Sequence, residues 1–428
     1  MNDTNLQVVI MAGGRGTRIQ SIASDIPKPM IRVCGVPVLE HQLKFFSRAG
    51  IKNVTISIGY LGTVIKDYFG DGNQFGVHID YIEENEPLGT AGALRFLSDK
   101  ADLFLIVNGD ILFDFDLYRM LEYHNLKSAD ATLFTHPNQH PYDSAVIDAN
   151  VDGRIVRWFN KEEERSDVPN RVNAGIHMLS RDFLDFGSEI WRKSKVDLDR
   201  DILKPNISRK KIFAYDSPEY VKDMGTPERY HRVSADFESG IISAKNLKNR
   251  QKAIFIDRDG TINEYVGYVN CPEQLELIDG VSEALRLINQ SSYIAIIASN
   301  QPVIARGECS FDEMKRIHDH LQMLLGMEGV YVDDIIFCPH HPDKGFAGEV
   351  TELKFDCDCR KPKPGMLLKM AEKYNIDLSQ SYMIGDSLRD VEAGIAAGCQ
   401  SIYIGEESVT NCHCSKDLLE AVKYIFRR

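Results

Sequence analysis

Strand-like apolar runs recur along this chain, and motifs rich in glycine, aspartate or cysteine follow directly on several of them. Val8-Val9-Ile10-Met11, Val54-Thr55-Ile56-Ser57-Ile58 and Leu103-Phe104-Leu105-Ile106-Val107 read as buried strands. After residue 250 the theme repeats in Ala253-Ile254-Phe255-Ile256, Ile294-Ala295-Ile296-Ile297-Ala298, Ile335-Ile336-Phe337 and Tyr382-Met383-Ile384. Amphipathic helical segments lie between them, as in 312–327, where Ile317, Leu321, Leu324 and Leu325 share a face. This alternation restricts the chain to α/β architecture with mainly parallel sheets.

A chain of 428 residues exceeds what one hydrophobic core supports, so two or more domains are expected. The boundary falls where Ser239-Gly240 leads into the basic stretch Lys245–Lys252 and a fresh strand begins. The reading is a domain over 1–240, a linker over 241–251 and a second domain over 252–428. The net charge of −13 argues against nucleic acid as a partner, since backbone binding needs a basic surface. No run approaches the ~18 apolar residues of a membrane helix, and Met1–Asn5 carries no secretory pattern. The nine cysteines are odd in number and uneven in placement, with Cys34 alone before Cys271. That excludes a disulfide framework and suits a reducing cytoplasm. A monomer and a homo-oligomer are equally compatible with these numbers.

Gly13-Gly14-Arg15-Gly16-Thr17-Arg18 follows the first strand. Its glycines let backbone N–H groups approach phosphate, and Arg15 and Arg18 can neutralise a triphosphate. No Gly-Lys-Ser/Thr ending is present, so this is not a P-loop. Pro27-Lys28-Pro29-Met30 sets a lysine rigidly, and Glu86-Pro87-Leu88-Gly89-Thr90-Ala91-Gly92 offers a second glycine-rich loop for base and ribose. Asn108-Gly109-Asp110 ends a strand in a carboxylate, and Asp223-Met224-Gly225-Thr226-Pro227 supplies another. In this order the motifs resemble the sugar-1-phosphate nucleotidyltransferases of the pyrophosphorylase family, over residues 7 to about 230. The resemblance implies a Rossmann-like, GT-A-like three-layer fold and in-line attack of a sugar-1-phosphate oxygen on the α-phosphorus of a nucleoside triphosphate. It implies nucleotide binding by Gly13, Gly14, Arg15, Gly16, Thr17, Lys28, Gly89, Thr90 and Asn108, with Arg15 and Lys28 stabilising transferred charge. Asp110 and Asp223 would hold Mg²⁺. Lys161 in Trp158-Phe159-Asn160-Lys161 would bind the sugar phosphate, and Asn173 in Asn173-Ala174-Gly175 the sugar. The family's Glu and Pro around that lysine are Asn160 and Glu162 here.

Asp257-Arg258-Asp259-Gly260-Thr261 directly follows Ala253–Ile256. Two carboxylates spaced i, i+2 after a strand lie at one sheet edge, where one can attack phosphorus while the other trades a proton and helps hold magnesium. Ser299-Asn300-Gln301, Arg360-Lys361-Pro362 and Gly385-Asp386-Ser387 follow in order. These motifs resemble those of the haloacid dehalogenase phosphatases, a second Rossmann-like three-layer fold. The resemblance implies Asp257 as nucleophile, Asp259 as acid and base, Ser299 and Lys361 on the phosphoryl group, and Mg²⁺ on Asp257, Asp259 and Asp386. Cys338-Pro339-His340 and Cys357-Asp358-Cys359 add three thiols and an imidazole, a set suited to a tetrahedral structural Zn²⁺. His341 is adjacent to His340, but the Cys-x-His spacing favours the latter. Cys412-His413-Cys414 lacks a partner pair and reads as surface or packing residues.

With the zinc motif, residues 252 to about 405 resemble the heptose 1,7-bisphosphate 7-phosphatases and the related histidinol-phosphate phosphatases. Asn300, Arg306 and Arg360 would then bind substrate, while Pro302-Val303 departs from the usual small residue and glycine. A 7-phosphatase yields heptose 1-phosphate, which a nucleotidyltransferase consumes, whereas histidinol has no anomeric phosphate. By resemblance to the heptose-1-phosphate guanylyltransferases, the expected partners are GTP, heptose 1,7-bisphosphate and heptose 1-phosphate in the α-anomeric form, giving GDP-heptose. The alternatives are another base or sugar with a broad phosphatase, or one half acting only as a binding module.

Overall fold

A computed structural model describes residues 5–14, 26–97, 101–163, 165–185, 188–345 and 347–427 of the chain. Arg15, Gly16 and Thr17 lie outside the described residues. By contacts the chain divides into two compact units. The first comprises Met1–His136, Ile147–Trp158 and Asn173–Asn246; the second comprises Pro137–Val146, Phe159–Val172 and Leu247–Arg428. A boundary at 240 alone would leave Pro137–Val146 and Phe159–Val172 in the first unit. Their contacts place them in the second, where Asp167 pairs with His320 at 2.7 Å and Arg171 donates to the Asp333 carbonyl at 2.8 Å.

The first unit is built on a nine-stranded mixed sheet. Leu6–Met11 lies parallel to Asn53–Ile58 on one side and to Leu103–Asn108 on the other. Val172–Ser180 then runs antiparallel to Leu103–Asn108. Val8, Ile10, Val54, Ile56, Leu105 and Val107 bury one face against Leu39, Leu43 and Phe46 of the helix Val38–Arg48. A two-stranded ladder pairs Ile111–Asp114 with Tyr220–Asp223, antiparallel and with Asp223 opposite Ile111. That register sets Asp223 beside Asp110, although the two lie over a hundred positions apart.

The second unit holds a six-stranded, wholly parallel sheet. In spatial order its strands are Asp334–Cys338, Tyr293–Asn300, Lys252–Ile256, Tyr382–Gly385, Gln400–Ile404 and His413–Ser415. Apolar side chains alternate between two cores, which explains why the strands read as unbroken apolar runs. Ile254, Ile256, Ala295, Ile297 and Ile384 face Leu285, Ile317, Leu321 and Ile425. Ala253, Phe255, Ile294, Ile296 and Met383 face Met366, Leu367 and Met370. The helix Phe311–Met327 starts with a reciprocal cap: the Ser310 hydroxyl accepts from Glu313 N at 3.1 Å, and Glu313 accepts from Ser310 N at 2.7 Å. The chain leaves Lys252–Ile256 for one side of the sheet and later returns on the other. The carboxyl end of this strand is therefore a switch point, where α/β sheets open a crevice.

Candidate functional site

Asp257 caps that central strand. Its Oδ1 accepts from Arg258 N at 2.8 Å and pairs with Lys361 Nζ at 2.8 Å. Lys361 also pairs with Asp390 Oδ1 at 2.5 Å and is only 2 % exposed. Burial depresses the lysine, but Asp257 and Asp390 outweigh it, and its pKa ends above the ordinary value. Burial also pushes Asp257 up to about 6, against the pull of Lys361. Asp386 is raised to about 6 by burial first and then by the Asp257 charge. Carboxylates of Asp257, Asp386 and Asp390 place oxygens within 4.8 Å of one another. The surplus negative charge at this strand end suits a hard divalent cation with oxygen ligands, and Mg²⁺ there would neutralise phosphoryl oxygens.

The glycine after Asp259 is required twice. Gly260 has φ +82°, and a Cβ at this position would overlap Asp386 Oδ2. Asp390 caps the next helix as well as pairing with Lys361: it accepts from Ser387 N at 3.1 Å, while Ser387 Oγ accepts from Arg389 N at 3.3 Å.

Two expectations change in detail. The side chain of Asp259, expected on the metal, is turned to Arg258, Gln301 and Asn263, and Asp390 stands in the carboxylate cluster instead. Asn300, expected on substrate, brackets Lys361: its Nδ2 donates to the Lys361 carbonyl and its Oδ1 accepts from Lys361 N, both at 3.0 Å. Ser299 Oγ accepts from Gln301 Nε2 at 2.7 Å. Arg306 stacks its guanidinium 4.4 Å from the Tyr268 ring centre, and Arg360 donates to the His340 carbonyl at 3.3 Å. Both arginines act on His341, whose pKa is lowered by burial first and then by their charges.

Lys361→Met removes the buried ammonium and leaves two carboxylates without a counter-charge. The expected cost is about 3–5 kcal/mol, read by urea unfolding of the full chain, together with loss of phosphate release.

Cys338, His340, Cys357 and Cys359 converge on one point, all four ligand atoms lying within 4.8 Å of one another. Sulfur–sulfur separations are 3.5 Å for Cys338–Cys357 and 3.3 Å for Cys359 with each of the other two. His340 Nδ1 is 3.2 Å from Cys359 Sγ and 3.6 Å from Cys338 Sγ. A tetrahedral zinc thiolate site has ligand–ligand edges of roughly 3.7 Å, so these residues fit the ion with slight expansion. The mutual contact of Cys338 and Cys359 draws Cys359 below the ordinary thiol value and pushes Cys338 above it, so Cys359 is the readier of the two to form a thiolate.

In the first unit the turn Lys28–Met30, entered through Pro27, carries Lys28 to Asp110, with which it forms an ion pair. Arg229 Nη1 donates to both oxygens of Asp223, at 3.1 and 2.9 Å. Burial opposes ionisation of Asp223, but Arg229, Gly225 N and Lys28 prevail and hold its pKa below the ordinary value. Asn173 Nδ2 donates to both oxygens of Asp199, at 3.1 and 3.2 Å, and Asn173 Oδ1 accepts from Gly175 N at 3.1 Å. Gly175 has φ +75°, and a Cβ there would overlap Asn108 Nδ2. This contact joins the expected sugar and nucleotide residues. Thr90 accepts from Leu198 N at 2.8 Å and donates to Asp197 at 3.2 Å, which ties down the Gly89 loop. Lys161 lies on the segment Phe159–Val172, in the second unit, is 63 % exposed and pairs with its neighbour Glu162 at 3.7 Å.

Two braces, buried Gln42 and half-buried Glu84, have no motif of their own. Gln42 Nε2 donates to the carbonyls of Asn108 at 3.0 Å and Ile111 at 2.7 Å, fixing the turn that presents Asp110. Glu84 accepts from Ser57 Oγ at 2.5 Å and Leu88 N at 3.0 Å, and packs against Gly13 so closely that a Cβ there would meet it at 2.9 Å. The only hint of Gln42 is a polar residue on the buried face of an apolar helix.

One unit holds a carboxylate cluster with a buried lysine at a switch point, and the other a mixed sheet bearing paired aspartates and glycine loops; together they define two classes of phosphoryl-transfer chemistry. Residues 7–240 match the nucleotidyl transferase family model and residues 358–423 the HAD-hydrolase-like model. The mannose-1-phosphate guanylyltransferase of Mycobacterium tuberculosis is 32% identical over 251 residues, 58% of this chain and 68% of that protein. The D-glycero-beta-D-manno-heptose-1,7-bisphosphate 7-phosphatases of Yersinia pestis and Haemophilus influenzae are 42% and 44% identical over 145 and 147 residues. Each covers 34% of this chain and 75% or 77% of its own length. The crystal structure of HddC from Yersinia pseudotuberculosis has 27% identity and a TM-score of 0.47, covering 54% of this chain and 99% of its own. The chain belongs to the nucleotidyl transferase family and, through its C-terminal part, to the HAD phosphatase family that includes those 7-phosphatases. Among the described residues no helix is long and apolar enough to cross a membrane.

Proposed function

We propose that this chain removes the 7-phosphate of D-glycero-α-D-manno-heptose 1,7-bisphosphate and then transfers GMP from GTP to the resulting heptose 1-phosphate, releasing pyrophosphate. The observation that carries this reading is the union of the two families in one polypeptide. Phosphatase relatives named for a sugar bisphosphate leave a sugar 1-phosphate, the substrate class of the transferase relative named above.

In the C-terminal unit Asp257 attacks phosphorus, Asp259 protonates the departing sugar oxygen and then takes a proton from water, and Lys361 offsets the charge of the carboxylates. Arg306 and Arg360 face the remaining phosphate. Asp257, Asp386 and Asp390 would hold Mg²⁺. In the N-terminal unit Asp110 and Asp223 would hold Mg²⁺, Lys28 with Arg15 would stabilise the transferred nucleotide, and Asn173 would orient the sugar.

Two observations favour neighbouring readings. The phosphatase relatives are named for the β anomer, and the transferase relative for mannose 1-phosphate. One assay separates all three: purified protein with each anomer of the heptose bisphosphate, heptose 1-phosphate or mannose 1-phosphate, and GTP, ATP, CTP or UTP in turn. Phosphate from the α anomer followed by pyrophosphate with GTP alone is expected. Turnover of only the β anomer, or pyrophosphate only with mannose 1-phosphate, would replace the corresponding part of the proposal.

A further inference from the structure

Arg258, the residue between the two catalytic aspartates, is completely buried and stands first among the largest fully buried side chains. Backbone alternation should turn it away from its neighbours. Its head nevertheless returns to Asp259. Nε donates to Asp259 Oδ1 at 3.0 Å, and Nη2 donates to Oδ1 and Oδ2, both at 2.9 Å. Nη2 also reaches Gln301 Oε1 at 3.0 Å, and Nη1 reaches His318 Nε2 at 3.3 Å and Met314 Sδ at 3.6 Å. Gln301 closes the ring, donating to Asp259 Oδ2 at 2.8 Å and to Ser299 Oγ at 2.7 Å, while Asn263 donates to Oδ1 at 3.1 Å. Burial first, and then the Arg258 charge, holds His318 well below its ordinary pKa, so its ring is neutral and can accept. The Asp259 side chain keeps 17 % exposure, enough to leave an edge for one substrate oxygen.

A buried arginine is expensive unless its hydrogen bonds are complete, and an apolar side chain could fill the same volume. Here the fork is complete, and every polar partner except His318 leads to Asp259 or Ser299. We propose that Arg258, backed by His318 and Gln301, is a positioning residue that holds Asp259 in the geometry for proton transfer. This rests on the phosphatase reading of Asp257 and Asp259.

In the first half-reaction the Asp257–phosphorus bond forms, the bond from phosphorus to the sugar oxygen breaks, and that oxygen takes the Asp259 proton. In the second, a water oxygen bonds phosphorus, the aspartyl bond breaks, and Asp259 takes the water proton. A misplaced Asp259 therefore slows departure of a basic alkoxide, and it slows water attack for every substrate. It spares departure of a weakly basic phenolate, which needs no proton.

The test uses the full chain with Arg258→Lys, Arg258→Met and, as reference, Asp259→Asn. Each is assayed with p-nitrophenyl phosphate and with a primary alkyl monophosphate, after turnover of both by the wild type has been measured. With the alkyl ester, turnover should fall about 10²-fold or more. With the aryl ester both Arg258 variants should give a stoichiometric burst of nitrophenolate followed by a slow steady state, as Asp259→Asn should. Protease resistance of the C-terminal unit, compared with that of the wild type, reports its integrity in the same samples. Equal losses on both esters without a burst would make Arg258 merely structural and overturn the proposal, as would unchanged turnover in Arg258→Lys. If Asp259→Asn itself retained alkyl turnover, the phosphatase reading would fail instead.

Discussion

Asp257→Asn should release phosphate at least about 10⁴-fold more slowly than the wild type, on the scale of deleting a covalent nucleophile, while pyrophosphate release from supplied heptose 1-phosphate and GTP stays within about twofold of wild type, because the two sites share no residue. The side chain is nearly isosteric, so Lys361 keeps a neighbour, but the amide cannot carry a phosphoryl group. Asp110→Ala should do the converse. It removes the partner of Lys28 and one of two carboxylates brought together by the Asp223–Ile111 register, and nucleotidyl transfer should fall by about 10²–10³. Phosphate and pyrophosphate, recorded separately on the same samples, check both. If phosphate release survived in Asp257→Asn, the aspartyl-phosphate would have to be abandoned. If Asp110→Ala kept its pyrophosphate, the metal role of Asp110 would go.

Stripping zinc should have the largest effect on stability. Apparent binding free energies of structural zinc run to about 10–16 kcal/mol, comparable with the whole stability of a domain. The four side chains come from the end of an edge strand and from the loop that follows it, so an ion held by them would tie the two together. Cys359 also lies two residues before Lys361, whose backbone is bracketed by Asn300. A zinc-selective chelator in excess Mg²⁺ should therefore abolish phosphate release first and expose the C-terminal unit to protease next, while nucleotidyl transfer continues. Cys357→Ser or Cys359→Ser should reproduce this. Elemental analysis should find one zinc per chain in protein made with zinc in the medium, and its absence would refute the site.

What the sequence reveals here is local. Lys252–Ile256, Tyr293–Asn300 and Tyr382–Gly385 are legible because strands buried on both faces must be apolar without interruption. The motifs after them are legible because a strand end delivers neighbouring residues to one edge. Asp257, Lys361, Asp386 and the Cys–His set do assemble, since each sits on such an end or a loop anchored to one. Long-range roles are not legible. Nothing local reveals that Asn300 clasps Lys361, that Gln42 braces the Asp110 turn, or that Arg258 folds back onto its neighbour. Each depends on a partner supplied by another element.

The four-rung ladder between Ile111–Asp114 and Tyr220–Asp223 has an evolutionary consequence. Side chains on a strand change faces at every step, so a single inserted or deleted residue along Ser217–Lys222 would turn Asp223 away from Asp110. Drift there can exchange one amino acid for another but cannot alter length. Reading-frame-preserving indels should instead collect in exposed loops such as the one around Val151, whose register no catalytic carboxylate depends on.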